Sequence, residues 1–181
     1  MKKLICIILI LFPLAGFASI HVEDTNVYSV DHKKEELLKF KNSDKETVVI
    51  FLSKDCPCSK ANIGHINDLA KAFTQFRFIG IHAKKGGKNE EIENYLSDKH
   101  LSIPVYNDAD LKITAQFSAL KTPHAFILDK DGNVIYNGGI ANTTNPDNAK
   151  EFYLKDALTA LNNHQQLPKT ETRTLGCYIL R

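Results

Sequence analysis

The 181-residue chain has no tryptophan, one methionine and three arginines, Arg77, Arg173 and Arg181. Lysine plus arginine number 23 against 21 acids, a formal net charge of +2, so the basic footprint of a nucleic-acid binder is missing. No apolar run reaches the roughly 20 residues that a spanning helix needs. Four cysteines are too few to knit a disulfide-built miniprotein. The seven histidines form no HxH or HxxxH pair, and Gly86-Gly87 lacks the spacing of a phosphate loop. Asp129 to Asn133 is too short for a calcium loop. With 43% hydrophobic and 24% charged residues, the chain reads as one globular domain with short extensions.

The chain begins with an address. Met1-Lys2-Lys3 is a positive head, Leu4 to Leu14 is apolar, and Ala15-Gly16-Phe17-Ala18 supplies small residues for a cut after Ala18, the layout of a secretory signal peptide over residues 1–18. The expected location is therefore a bacterial periplasm, with no stable membrane insertion of the mature chain. Cleavage removes two lysines, no acid and Cys6, leaving a formally neutral chain with Cys56, Cys58 and Cys177. An odd thiol count in an oxidising compartment leaves at least one sulfur free or shared.

Residues 19–45 read as a lead-in, with an acid-capped helix expected from Asp31 to Lys41. Thr47 to Leu52 is a continuous apolar run suited to a strand buried on both faces. Pro57 opens a helix, which it tolerates at the first position, and Ile66, Leu69, Ala70 and Phe73 mark its inner face. A strand over Phe76 to Ile81, a helix over Asn89 to Lys99, an extended piece at Ile103 to Tyr106 and a short helix from Ala109 to Ser118 follow. Ala125–Leu128 and Val134–Tyr136 flank a hairpin turn, the first of them read as an edge strand, and Lys150 to Asn163 reads as the last helix. Alternating elements imply an α/β fold, a three-layer α/β/α sandwich with a mixed central sheet and a hairpin at one edge. Residues 46–165 form the main domain, and 166–181 a tail carrying Cys177.

A thiol between a buried strand and a helix N-terminus meets unpaired N–H groups and a positive dipole end, both of which favour thiolate. Cys56 is accordingly the expected nucleophile for disulfide exchange, with Lys54 and Lys60 assisting. On a helix Ser59, not Cys58, shares its face, so Cys58 pairs with Cys56 only if the first turn is not yet helical. Pro57 favours that by pushing Cys56 towards extended backbone. Cys177, on a tail long enough to cross the domain, is the other candidate partner. Thr122-Pro123 is a candidate cis bond beside the thiol.

Val48 to Lys60, with Cys56-Pro57-Cys58-Ser59, then Thr122 to Gly132, Ile135 to Gly138 and the ending Gly176-Cys177-Tyr178-Ile179, resemble the thioredoxin-like redoxin superfamily of the alkyl hydroperoxide reductase/thiol-specific antioxidant type. The resemblance runs from about Thr47 to the C-terminus. It implies a thioredoxin-like fold, Cys56 as the reactive cysteine, Pro123 as the cis-proline and Cys177 as the distal cysteine. It also implies thiol–disulfide oxidoreductase activity without a cofactor, Thr122 and His124 beside the bound substrate, and protein thiols, disulfides or a thioredoxin-type reductant as partners. Ser59 replaces the second cysteine of the thioredoxin motif, and Val49 stands where peroxiredoxins carry proline. Arginine to polarise a peroxide is scarce, which ranks peroxidase activity below exchange. A third reading takes Cys56 and Cys58 as a soft Cu(I) pair with His65, His82 or His124 as third ligand, His124 being the one placed near the thiol by its position beside Pro123.

Overall fold

The computed structural model describes residues 20–180; the leader assigned to residues 1–18 lies outside them. Among the described residues no helix is long and apolar enough to cross a membrane. In chain order the elements are β1 (Thr25–Ser29), β2 (Lys34–Leu38), β3 (Thr47–Leu52), α1 (Pro57–Ala72), β4 (Arg77–His82), α2 (Asn89–Lys99) and β5 (Val105–Asn107). They continue with α3 (Lys112–Gln116), β6 (Lys121–Thr122), β7 (His124–Leu128), β8 (Val134–Gly138), α4 (Tyr153–Asn162) and β9 (Cys177–Tyr178). The central sheet has seven strands in the order β2-β1-β5-β4-β3-β7-β8, while β6 and β9 form a separate ladder. β3, β4 and β5 pair in parallel. The outer pairings are antiparallel, so the sheet is mixed.

Every residue of β3 is buried, as its unbroken apolar run requires for a strand covered on both faces. Its alternate residues feed two cores. Val48, Ile50 and Leu52 pack with Ile66 and Leu69 of α1 and with Leu154 and Leu158 of α4. Val49 and Phe51 face the other way, towards Ile113 of α3, Phe117 and Phe40. There Phe117 meets the rings of Phe40, Phe51 and Phe126 edge-on at centroid distances of 5.5, 5.3 and 5.0 Å. α2 covers the β5 side, with Ile92 against Val30 and Val105. The result is the α/β/α sandwich.

Three expectations are corrected. Asp31 to Lys41 is not a helix: it forms the turn and second strand of a hairpin in which β2 pairs with β1, Thr25 opposite Leu38 and Ser29 opposite Lys34. The apolar period there is two, since Leu38 and Phe40 are buried while Leu37 is 50% exposed. Asp31 accepts a hydrogen bond from the Val105 N–H at 2.9 Å instead of capping a helix. β1 in turn pairs with β5, so the lead-in belongs to the main sheet. Nor is β7 an edge strand, being flanked by β3 and β8. The β7–β8 turn is as expected: Gly132 adopts φ +89°, and Asp129 Oδ1 accepts from the Asp131 and Asn133 N–H groups. The last helix starts at Tyr153 rather than Lys150.

Candidate functional site

Parallel β3 hands the chain to α1 at the end of the sheet where backbone N–H groups are left unpaired. Cys56 is the N-cap of α1, with extended backbone at φ −97° and ψ 112°, and Pro57 occupies the first turn. Being outside the helix, Cys56 escapes the angular separation that i and i+2 would otherwise have. The sulfurs of Cys56, Cys58 and Cys177 all lie within 4.8 Å of one another. All three are free thiols, Cys56 buried and the other two half-buried.

The Sγ atoms of Cys56 and Cys177 are 2.7 Å apart. A disulfide, at about 2.05 Å, needs little further approach. Cys177 reaches the site because the tail is tied down along its length. Asn137 N–H donates to Thr170 O at 2.9 Å and Thr172 N–H to Asn137 O at 3.1 Å, which lays the tail against β8. The Thr172 hydroxyl then accepts from Gly139 N–H at 3.1 Å. Beyond Gly176 the chain pairs antiparallel with β6, Thr122 opposite Cys177 and Lys121 opposite Tyr178. The Lys121 ammonium sits 4.8 Å from the Tyr178 ring centre, and Ile179 N–H donates to Leu120 O at 3.0 Å. Gly176 has φ +154°, and a Cβ there would stand 2.1 Å from Thr122 O; only glycine allows this approach.

The Thr122-Pro123 peptide bond is cis, and the Cys56 thiol donates to Thr122 O at 2.9 Å. Burial pushes the Cys56 thiol up. Hydrogen bonds from Cys177, from Thr122 and from the backbone and hydroxyl of Ser59 outweigh it and bring the group down to about 7. Burial, followed by the charge of Cys56, raises Cys58. Burial and the contact with Cys56 raise Cys177. Cys56 is thus the sulfur of the cluster that ionises first, while Cys58 and Cys177 keep their protons beside it. The lysines expected to help do not: Lys54 is paired with Asp55 and Glu91 at 3.1 and 3.2 Å, Lys84 holds Asp55 at 2.6 Å, and Lys60 is exposed on α1.

A groove of about 450 Å³ opens at this point, with Cys56, Thr122, Lys84, Lys85 and Cys177–Leu180 among its lining. Tyr178 and Leu180 are 72% and 82% exposed. Thr122 lies in the groove, whereas His124 does not: its ring is 5% exposed, tied through Nε2 to Asn137 Oδ1 at 2.6 Å and stacked on Phe126. Burial holds His124 down at about 4, hence neutral. The third group near Cys56 and Cys58 is Cys177 rather than His124.

Behind the thiols stand residues that the sequence offered in other roles, His82 as a copper ligand and Ser59 as a lost cysteine, or, for Asn62, in none. His82, ending β4, accepts the Lys54 N–H through Nε2 at 3.2 Å and is pushed by burial down to about 4. Asn62 on α1 donates to Cys58 O and Thr144 O at 2.8 and 2.9 Å. Ser59, read only as a lost cysteine, accepts the Ser53 N–H through Oγ at 3.2 Å and faces Cys56. The one available signal was polarity at helix or strand positions that should be inward.

A search of curated proteins returned no match. Among solved structures the chain is similar to an uncharacterized conserved protein from Geobacillus kaustophilus (TM-score 0.78, 20% identity, 89% of this chain and 90% of that one). It is also similar to the peroxidoxin BcpB from Mycobacterium tuberculosis (TM-score 0.60, 18% identity, 81% and 96%). A third is a putative thiol:disulfide interchange protein DsbE from Chlorobium tepidum (TM-score 0.58, 14% identity, 79% and 91%). At these identities the likeness establishes the fold, which is thioredoxin-like. The model of the domain of unknown function DUF6436 matches residues 25–180, and the chain belongs to that family.

Proposed function

We propose that the protein is an exported thiol–disulfide oxidoreductase in which Cys56 is the nucleophile and Cys177 the resolving thiol. The observation that carries this reading is the 2.7 Å approach of the two sulfurs, with the Cys56 thiol brought down to about 7. The Cys56 thiolate attacks one sulfur of a partner disulfide, expelling the other as thiolate and leaving a mixed disulfide. Cys177 gives its proton to that departing thiolate or to solvent and attacks Cys56 Sγ. This releases the partner as a dithiol and closes Cys56–Cys177. The partner gains two electrons and the protein loses two. A dithiol reductant of thioredoxin type restores the pair, and the same steps in reverse oxidise a partner. All electrons pass from sulfur to sulfur, so no cofactor takes part.

Thr122, on the short strand β6 beside the groove, is the group that would receive the partner backbone. The leader-like residues 1–18 support the periplasm as the compartment. Peroxide reduction is disfavoured by Arg77, which opens β4 opposite Thr47, at the far end of β3 from Cys56. Peptide mapping of the air-oxidised protein without reductant should find Cys56 joined to Cys177, with a mass loss of two hydrogens abolished by Cys56→Ser. A Cys56–Cys58 bridge as the main product, or no bridge, would overturn the assignment.

A further inference from the structure

Exchange uses two sulfurs, and the cluster has three. Cys58 is on the first turn of α1, within 4.8 Å of both the others, and nothing in the exchange steps requires it. Three thiolates about one point are a ligand set. With metal–sulfur arms of about 2.3 Å, a trigonal site places its sulfurs about 4.0 Å apart. The present triangle, with one side of 2.7 Å and none above 4.8 Å, brackets that size. The short side opens by about 1.3 Å to reach it. Cys177 can supply that movement, since it sits on a two-residue ladder at the end of the tail.

We infer that the fully reduced protein binds one Cu(I) ion through Cys56, Cys58 and Cys177. The donors select the ion. An all-sulfur set is soft and suits Cu(I), whereas hard ions want oxygen. A closed tetrahedral zinc site needs a fourth protein ligand. No fourth Cys, His, Asp or Glu joins the group among the described residues. His124 is committed to Asn137, His82 Nε2 to the Lys54 N–H, and Asp55 to Lys54 and Lys84. Each ligating thiol releases its proton to solvent and copper keeps its oxidation state. The excess negative charge of three thiolates on a monovalent ion faces the N-terminus of the 16-residue helix α1, whose free N–H groups favour anions. Lys84 and Lys85 stand on the groove wall. Closing Cys56–Cys177 removes two of the three ligands, so oxidation expels the ion.

This inference goes beyond the exchange reading and is tested apart from it, because copper is added to protein held fully reduced. Under anaerobic conditions the reduced full chain is titrated with Cu(I) against a chromophoric Cu(I) chelator. The expected result is one Cu(I) per chain, with X-ray absorption giving three sulfurs at about 2.3 Å. Cys58→Ser and Cys177→Ser should each weaken binding by at least about 100-fold while the far-ultraviolet circular dichroism stays that of the parent. Parent-like affinity in folded Cys58→Ser, two-sulfur coordination, or displacement of Cu(I) by equimolar Zn(II) would overturn it. A chain that binds copper in this way yet never joins Cys56 to Cys177 would overturn the exchange reading alone.

Discussion

Gly176→Ala adds one methyl group and should disable the resolving step. The added carbon would lie 2.1 Å from Thr122 O, 2.8 Å from Thr122 C and 3.2 Å from Pro123 N. All three are backbone atoms of the segment carrying the cis peptide bond, so the tail must yield. Once undocked, Cys177 is a thiol on a flexible tether, with an effective concentration in the mM range. Docked, it is held in one orientation at 2.7 Å from its target, and well-oriented intramolecular pairs reach effective molarities of about 10⁵ M and above. Allowing for most of that advantage being lost to motion of the tail, the effective concentration of Cys177 should still fall at least about 100-fold, or about 2.8 kcal/mol at 1.4 kcal/mol per tenfold. The assay is equilibration of the Cys56–Cys177 pair against glutathione, quantified after acid quench. Cys56 also loses the hydrogen bond from Cys177, so its alkylation midpoint, expected at about 7 in the parent, should move up. An unchanged effective concentration together with an unchanged midpoint would refute the reasoning.

Two further outcomes follow from burial. His82 and His124 are held at about 4, below the ordinary value of 6.5, so the unfolded chain takes up protons first. The stability they contribute is complete above pH 6.5 and is lost as pH falls towards 4, about 3 kcal/mol each at 1.36 kcal/mol per unit. Urea midpoints should drop steeply over that window, and a flat profile between pH 6.5 and 4 would refute it. Phe117→Ala, which removes the ring meeting Phe40, Phe51 and Phe126, should cost about 3–5 kcal/mol in chemical denaturation. A loss under about 1 kcal/mol would mean that the cluster contributes far less than its burial implies.

The parts of the fold legible in the sequence are those in which one residue pattern has one physical solution. The unbroken run Thr47 to Leu52 admits little but a doubly covered strand, and Pro57 after a thiol marks a helix start. Asp31 to Lys41 misled because leucines within lysines and glutamates fit a helical face and an alternating strand alike. What decides is the partner strand, β1, paired in a register that local sequence does not encode. At the site, Cys56, Thr122, Pro123 and Cys177 were recognisable one by one. Their convergence depends on the tail crossing β8 to reach β6, a long-range pairing with no local signature. His124 was drawn towards the thiol by its adjacency to Pro123, yet strand alternation turns its ring into the sheet, onto Phe126 and Asn137.

The β6–β9 ladder has a kinetic consequence. Lys121 and Thr122 offer one row of hydrogen-bonding groups on the side taken by Cys177 and Tyr178, and one row serves one visitor. An incoming chain that aligns there must first peel away the protein's own last residues, which also draws the resolving sulfur out of range. In the proposed exchange cycle the mixed disulfide would thereby be shielded from premature cleavage for as long as the visitor stays zipped in place. When the C-terminus returned, the same stroke would evict the product and deliver the second sulfur, so turnover in the proposed cycle would be paced by competition between two strands for a two-residue berth.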